Sequence, residues 1–410
     1  MKELRALAIL LLAAPLAAAS DWPQWLGPRR DGSTDEIVKP WTEPLKILWK
    51  TPVGEGHSSP IVADGMVYLH ARVPGKNEES LQAFDAATGA AKWTTSYPRA
   101  FFLNPFGLGP RGTPAIDAGK IYSLGITGIL SCIDAKTGEK IWLVDTLNEF
   151  KAKNLTFGIS GSPIIDGDNV LINVGAKGAS IVAFHKKTGK EVWKTLDDAA
   201  SYSSPIIYGK GEDRQAIFLT GKGIVSVSPA GGSVFWQHPF QDKLAESSTT
   251  PVVLGDTLFV SSVTLGGTAL KLDNSQAIPK AKELWMKKEW HCYFSTPATV
   301  GKDHIYLVTG QASLTKAVAN LHCVELSTGK SLWKRDKVGK YHASLARTGD
   351  DKLLLIEEDG DMVLLQPDPK EYRELCRTKI CGTTWAHPAI SNGRLYIRDA
   401  KELICVELPK

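Results

Sequence analysis

Four stretches of this chain are written to one eleven-residue pattern. AFDAATGAAKW ends at Trp93, CIDAKTGEKIW at Trp142, AFHKKTGKEVW at Trp193 and CVELSTGKSLW at Trp333. Each runs an alternating apolar segment into Asp or a substitute, then Thr-Gly, then a short polar stretch and Trp. The Gly supplies a positive φ after a tight turn, as in a hairpin closed by a type I turn and a bulge. The Asp and Thr side chains can bond turn amides, and the Trp buries its ring against a neighbouring unit. Weaker copies end at Trp236 and Trp285, Trp49 opens the series without a turn before it, and Leu375 takes the Trp slot of a last copy. Successive closing positions are 42 to 51 residues apart.

A second signal lies between the Trp positions. Small polar residues and Pro precede two alternating strands, at Pro60, Pro114, Pro163, Pro205, Pro251, Pro297 and Pro388, with Leu345 in the Pro slot of the seventh copy. Each unit therefore reads as four short antiparallel strands. Eight such units predict an all-β, eight-bladed β-propeller. The chain opens with an isolated fourth strand at Trp49 and ends with three strands, so joining them closes the last blade and removes exposed sheet edges. That pairing sets the strand of Trp49 against the strand of Cys405.

The first residues read differently. Residues 1–19 carry Lys2 and Arg5, an apolar run and small residues, the pattern of a cleaved secretory signal peptide, too short for a stable membrane span; an uncleaved anchor is the alternative. Residues 20–44 read as an extension that docks on a single propeller of residues 45–410, with Trp22, Trp25 and Trp41 set along its side to staple the closing blade. Removing Lys2, Glu3 and Arg5 takes the formal net charge from +4 to +3. Basic residues are interspersed with acidic ones, so nucleic acid is not an expected partner. The expectation is an exported, periplasmic or secreted monomer without a membrane span.

The Asp-x-x-Thr-Gly-x-x-x-Trp pattern resembles the tryptophan-docking motif of the PQQ-like, or quinoprotein-type, propellers. The resemblance spans Trp49 to Leu408 and makes Trp49, Trp93, Trp142, Trp193, Trp236, Trp285 and Trp333 the structural docking residues. The opening DWPQWLGPRRDG is similar to a leader of many exported bacterial members. That superfamily contains PQQ-dependent dehydrogenases and non-catalytic propellers, the outer-membrane-protein assembly propeller among them. The eight-bladed dehydrogenases carry a vicinal disulfide, a Glu/Asn/Asp calcium site with a catalytic Asp, and a Trp beneath the quinone. This chain has no adjacent Cys pair and no CxxCH, and no catalytic residue of that class carries over. The resemblance thus implies a non-catalytic scaffold for a protein or glycan, with no cofactor and no metal. The alternative is an alcohol or sugar dehydrogenase using PQQ and calcium at the channel mouth, with a His or Glu246 as base.

Strand direction locates the candidate site. Residues just before each Pro ring one mouth of the channel, and they include His57, Arg111, Tyr202, Glu246, His291, Tyr293, Tyr341, His342, Trp385 and His387. Convergent polar and aromatic groups at a concave mouth are candidate ligand contacts, or they bond only loop backbone. The four histidines have irregular offsets from the Pro slot, which argues against a metal cage. Arg111 offers a rigid donor fork for an anion, and Trp385 and Tyr293 offer stacking faces. Two adjacent loops of 21 residues from Trp to Pro, bearing Phe101, Phe102, Phe106, Phe150 and Phe157, form a lid, a protein-binding patch or a plug. Cys132, Cys323 and Cys405 share one slot of the third strand as buried small residues. Among Cys292, Cys376 and Cys381, a Cys376–Cys381 disulfide is the expected pair in an oxidising compartment.

Overall fold

A computed structural model describes residues 21–313 and 315–410, so the expected signal peptide, residues 1–19, lies outside the described residues. The chain forms eight four-stranded antiparallel sheets. Seven are built from consecutive strands; the eighth pairs Ile47–Pro52 with Glu402–Glu407, Arg394–Arg398 and Ala389–Ser391. Trp49 stands opposite Cys405, as the split closure requires. Among the described residues helix is confined to Thr146–Glu149 and a 3₁₀ turn at Gly211–Asp213.

Each blade begins with a three-residue inner strand; the seventh, Ala343–Arg347, has five. In blades 1, 2 and 8 the turn that follows takes two residues of positive φ, Asp64-Gly65, Ala118-Gly119 and Asn392-Gly393. That is the hairpin geometry whose twist matches the strands. The outer hairpins follow the repeat. In blade 1, Asp85 accepts from the amides of Ala87 and Thr88 and from the Thr88 hydroxyl. Gly89 turns at φ +72°, and the register slips between Ala83↔Trp93 and Phe84↔Ala91.

The Trp side chains join blade to blade. Six donate Nε1–H to a backbone carbonyl at the next blade's turn, at 2.7–3.2 Å. Five of these rings, all but Trp333, lie against the turn glycine. A Cβ on Gly138 would sit 2.8 Å from Trp93, and one on Gly189 2.7 Å from Trp142. The repeat therefore needs Gly twice over, for its positive φ and for its bare surface. Trp236 departs from this pattern. Its Nε1–H goes to Gln215 Oε1 in its own blade, and Gln215 Nε2 donates to Asn274 in the longer turn of blade 5.

Three expectations need correction. The register opposes Leu364 to Cys376, so Cys376 holds the slot expected for Leu375, which falls at the bulge. Blade 8 has no third-to-fourth-strand turn to receive a Trp there; residues 40–46 and 407–410 lie together at that place. Trp41 covers it instead, its amide donating to Cys376 Sγ, and its ring packs on the blade 7/8/1 core. The Cys376–Cys381 disulfide is absent and all six cysteines are free thiols. Five residues of largely extended chain carry the two apart by roughly 16 Å, well beyond a disulfide's Cα reach of ~7 Å. Lastly, Trp25 does not lie along the outside. Trp22 bonds the inner strand of blade 1, but residues 25–30 enter the channel. Arg30, 5% exposed, donates to the carbonyls of Ser162, Pro163 and Pro205, and burial lowers its pKa to about 9.

Candidate functional site

The loops that enter the inner strands converge on a cavity of about 390 Å³, and every blade contributes to its lining. Seven of the expected mouth residues meet there: His57, Arg111, Tyr202, Glu246, Tyr293, Tyr341 and Trp385. They share this opening because each sits within a few residues of an inner strand, and the eight inner strands run side by side around one axis.

The walls are aromatic and mutually packed. Trp385 stacks on His57 at 4.9 Å between centroids and stands edge-on to Tyr341 at 6.0 Å. Phe294 stacks on Tyr293 at 3.9 Å and Phe157 meets Phe106 and Tyr202. Glu358 fixes one side of this wall: its carboxylate accepts from Trp385 Nε1–H at 2.8 Å and from the amides of Lys340, Tyr341 and His342. Trp25 of the leader also lines the cavity, held by Thr250 at 2.9 Å.

The polar groups of the wall are engaged with their neighbours. Arg111 donates from Nε to Phe157 O at 2.7 Å, and from Nη1 and Nη2 to the carbonyls of Phe106 and Gly107. It thereby ties the two long loops together, and burial lowers its pKa to about 10. His57 Nε2 bonds the Phe106 carbonyl at 3.0 Å, which makes Nε2 the donor. Burial, then the Arg111 charge, pushes its pKa down to about 3. Glu246 accepts the Tyr293 hydroxyl at 2.5 Å; burial raises its pKa against the pull of that bond.

The other three histidines lie elsewhere. His291 turns aside, Nδ1 on Gly310 O at 2.6 Å. His342 and His387 are buried, 5.5 Å apart, with the Trp25 ring 4.6 Å from His387. His342 Nε2 and both ring nitrogens of His387 have no protein partner. Burial depresses both pKa values, His342 to about 4 and His387 well below 6.5. The four histidines thus form no common cluster. Among the described residues the group with ligand-like spacing is Glu357, Asp359 and Asp361, already paired with Arg377 and Lys379.

The Phe-bearing loops divide their residues among three roles. Phe106 and Phe157 wall the cavity, Phe150 packs in the blade 2/3 core, and Phe101 and its neighbour Leu103 stand 74% exposed on the loop that carries Phe106. Residues that sequence reasoning missed are Phe294, passed over beside Tyr293, and Trp25 and Glu358. Glu358 sits in a strand turn with no sequence signal of its role.

The chain resembles known proteins over most of its length. A family profile described as outer membrane protein assembly factor BamB (PQQ_2) matches residues 33–105 and 99–335. The outer membrane protein assembly factor BamB of Shewanella oneidensis is 21% identical over 391 residues, 89% of each chain. The quinohemoprotein alcohol dehydrogenase ADH-IIG of Pseudomonas putida is 26% identical, but the match covers 64% of this chain and 41% of that enzyme. Solved structures agree on the fold. Quinohemoprotein alcohol dehydrogenase from Comamonas testosteroni superposes with TM-score 0.67 at 14% identity, covering 95% of this chain and 80% of that one. BamB from Moraxella catarrhalis gives 0.61 at 16% identity, covering 89% and 100%. With the profile spanning well over half of its residues, the chain belongs to the PQQ_2 family of BamB-like propellers.

Proposed function

We propose that the chain is an exported, non-catalytic binding propeller that engages a partner protein through this mouth. The observation that carries the reading is the disposition of the mouth itself. Its charged and titratable groups are bonded first to its own walls, while exposed apolar side chains stand on the loops that form it. General acid–base chemistry needs a group that reaches substrate with a pKa near the working pH. His57 is held neutral on a loop carbonyl and Glu246 holds Tyr293. By contrast Leu244, which lines the opening, is 52% exposed, and Phe101 and Leu103, on the loop that carries Phe106, are each 74% exposed, the kind of apolar exposure that marks an interaction surface. The BamB relative of Shewanella, named for outer membrane protein assembly, matches over nearly its whole length, which favours the same broad class. A glycan is the second reading, favoured by the packed faces of Trp385 and Tyr293.

The residues do not fit a calcium-bound quinone. A tricarboxylate quinone with Ca²⁺ asks for several hard oxygen ligands and free cationic donors. The lining offers one carboxylate, Glu246, and one guanidinium, Arg111, with three of its nitrogens already donating to carbonyls. No two cysteines are adjacent in the sequence.

The test is site-specific photocrosslinking in the cell that exports the protein. Probes at Leu103 and Leu244 should yield a discrete adduct with one partner, and probes at Lys136 and Lys187 on the turn face should not. Adducts confined to the turn-face positions would contradict the proposal.

A further inference from the structure

The two charged side chains that line the cavity are of opposite sign and do not pair with each other. Arg111 enters from blade 2 and Glu246 from blade 5, and each is satisfied locally. Between them the lining is aromatic: Phe157 and Tyr202 on one side, and Tyr293, Phe294, Tyr341 and Trp385 on the other. A cavity of about 390 Å³ lies within the range that encloses small molecules, roughly 300–1,000 Å³.

That combination is selective. A sugar would present hydroxyls on all its edges, and most wall atoms here are carbon. A primary ammonium would bring three strong donors, yet Glu246 already spends one oxygen on Tyr293. A methylated ammonium has no N–H to satisfy or few, is weakly hydrated, and is attracted to the electron-rich faces of Trp, Tyr and Phe. The carboxylate of Glu246 adds a counter-charge that a partly desolvated site makes count. Three of the five guanidinium N–H groups of Arg111 are used on carbonyls, which leaves donors for an anion.

We propose that the mouth cavity binds a methylated-ammonium zwitterion of betaine type, with its ammonium in the aromatic wall beside Glu246 and its anionic end toward Arg111. This rests on the reading of the mouth as a binding site and names the ligand class that the cavity accepts.

Calorimetric titration of the full exported chain tests it with four probes: glycine betaine, tetramethylammonium, 3,3-dimethylbutyrate and a short oligosaccharide. Dimethylbutyrate keeps the carboxylate and the shape of betaine and lacks only the positive charge. Betaine should bind saturably and about tenfold or more tighter than dimethylbutyrate. Tetramethylammonium should bind more weakly than betaine, because it cannot use Arg111. Glu246→Gln keeps an acceptor for Tyr293, so its melting temperature should hold while betaine affinity falls about fivefold or more. Equal binding of betaine and dimethylbutyrate would overturn the proposal. So would saturable oligosaccharide binding without betaine binding, although the mouth would then still be a binding site. If no probe binds but crosslinks form at Leu103 and Leu244, the ligand class is wrong and the partner-binding reading stands. If neither occurs, both fall.

Discussion

The seam between blades and the mouth above them are built from the same repeat on opposite principles. At the seam most blades repeat one contact: a Trp ring on the next blade's turn, usually on its glycine, with Nε1–H on a turn carbonyl. At the mouth the blades supply a changing set of side chains, from His57 in blade 1 and Arg111 in blade 2 to Glu246 in blade 5 and Trp385 in blade 8. Identity is retained where the repeats must tile, and it is given up where eight loops surround one space. Periodic positions therefore report stability, and under the proposed function the irregular ones carry recognition.

Breaking the seam should cost the most. Trp193→Ala removes a ring only 9% exposed and its bond to Pro229, and should cost about 3–5 kcal/mol of unfolding free energy, read by urea denaturation. Ligand binding at the mouth should survive in the fraction that folds. A loss below about 1 kcal/mol would show that the seam does not hold the ring together.

The leader is the next test, because it belongs to neither region by sequence but enters the channel. Arg30→Met leaves the carbonyls of Ser162, Pro163 and Pro205 without their buried donor, a loss of about 3 kcal/mol. If the leader lay along the outside, the same change would be near neutral.

Acid should weaken the protein from within the channel. His342 and His387 have folded pKa values below the unfolded value of 6.5. The unfolded chain therefore binds more protons over this interval. Their contribution is complete above pH 6.5 and falls as pH drops toward about 4, by up to ~1.4 kcal/mol per pH unit for each histidine. Glu79, raised by burial to about 7, acts in the opposite sense between pH 7 and its ordinary 4.5. His387→Gln should flatten the stability profile between pH 6.5 and 4; an unchanged slope would mean that the ring is not held neutral.

The smallest effect is expected where the seam lacks its Trp. Cys376→Ala should change stability by about 0.5–1 kcal/mol at most, against the several expected for Trp193→Ala. A larger loss would show that Cys376 carries a docking role of its own.

The fold was legible because its determinants are local and periodic. Paired strands recur in eight frames, with Trp closing seven of them and Thr-Gly turns in four, and the orphan strand at Trp49 announces its partner at Cys405. The mouth was legible as a set of positions, since strand direction alone brings seven of the ten named residues to one opening. What a side chain does there depends on neighbours from other blades, which no spacing records. Arg111 reads as an anion contact in sequence, yet in the structure it first clamps Phe106, Gly107 and Phe157. His342 and His387 lie off the opening: Trp25 of the leader lines it and stands edge-on to His387, which packs beside His342. The Leu375 slip has a similar cause: the bulge that fixes the Trp slot is a register feature, and in blade 7 no Thr-Gly marks it.

The central claim is that recognition belongs to the mouth and stability to the seam. Hydrogen exchange on the complex with the crosslinked partner tests it most directly. The account predicts added protection in residues 99–111, 155–160 and 242–248, with the turns at 134–138 and 185–189 unchanged. Protection confined to those turns, with the mouth loops exchanging as in the free protein, would contradict it.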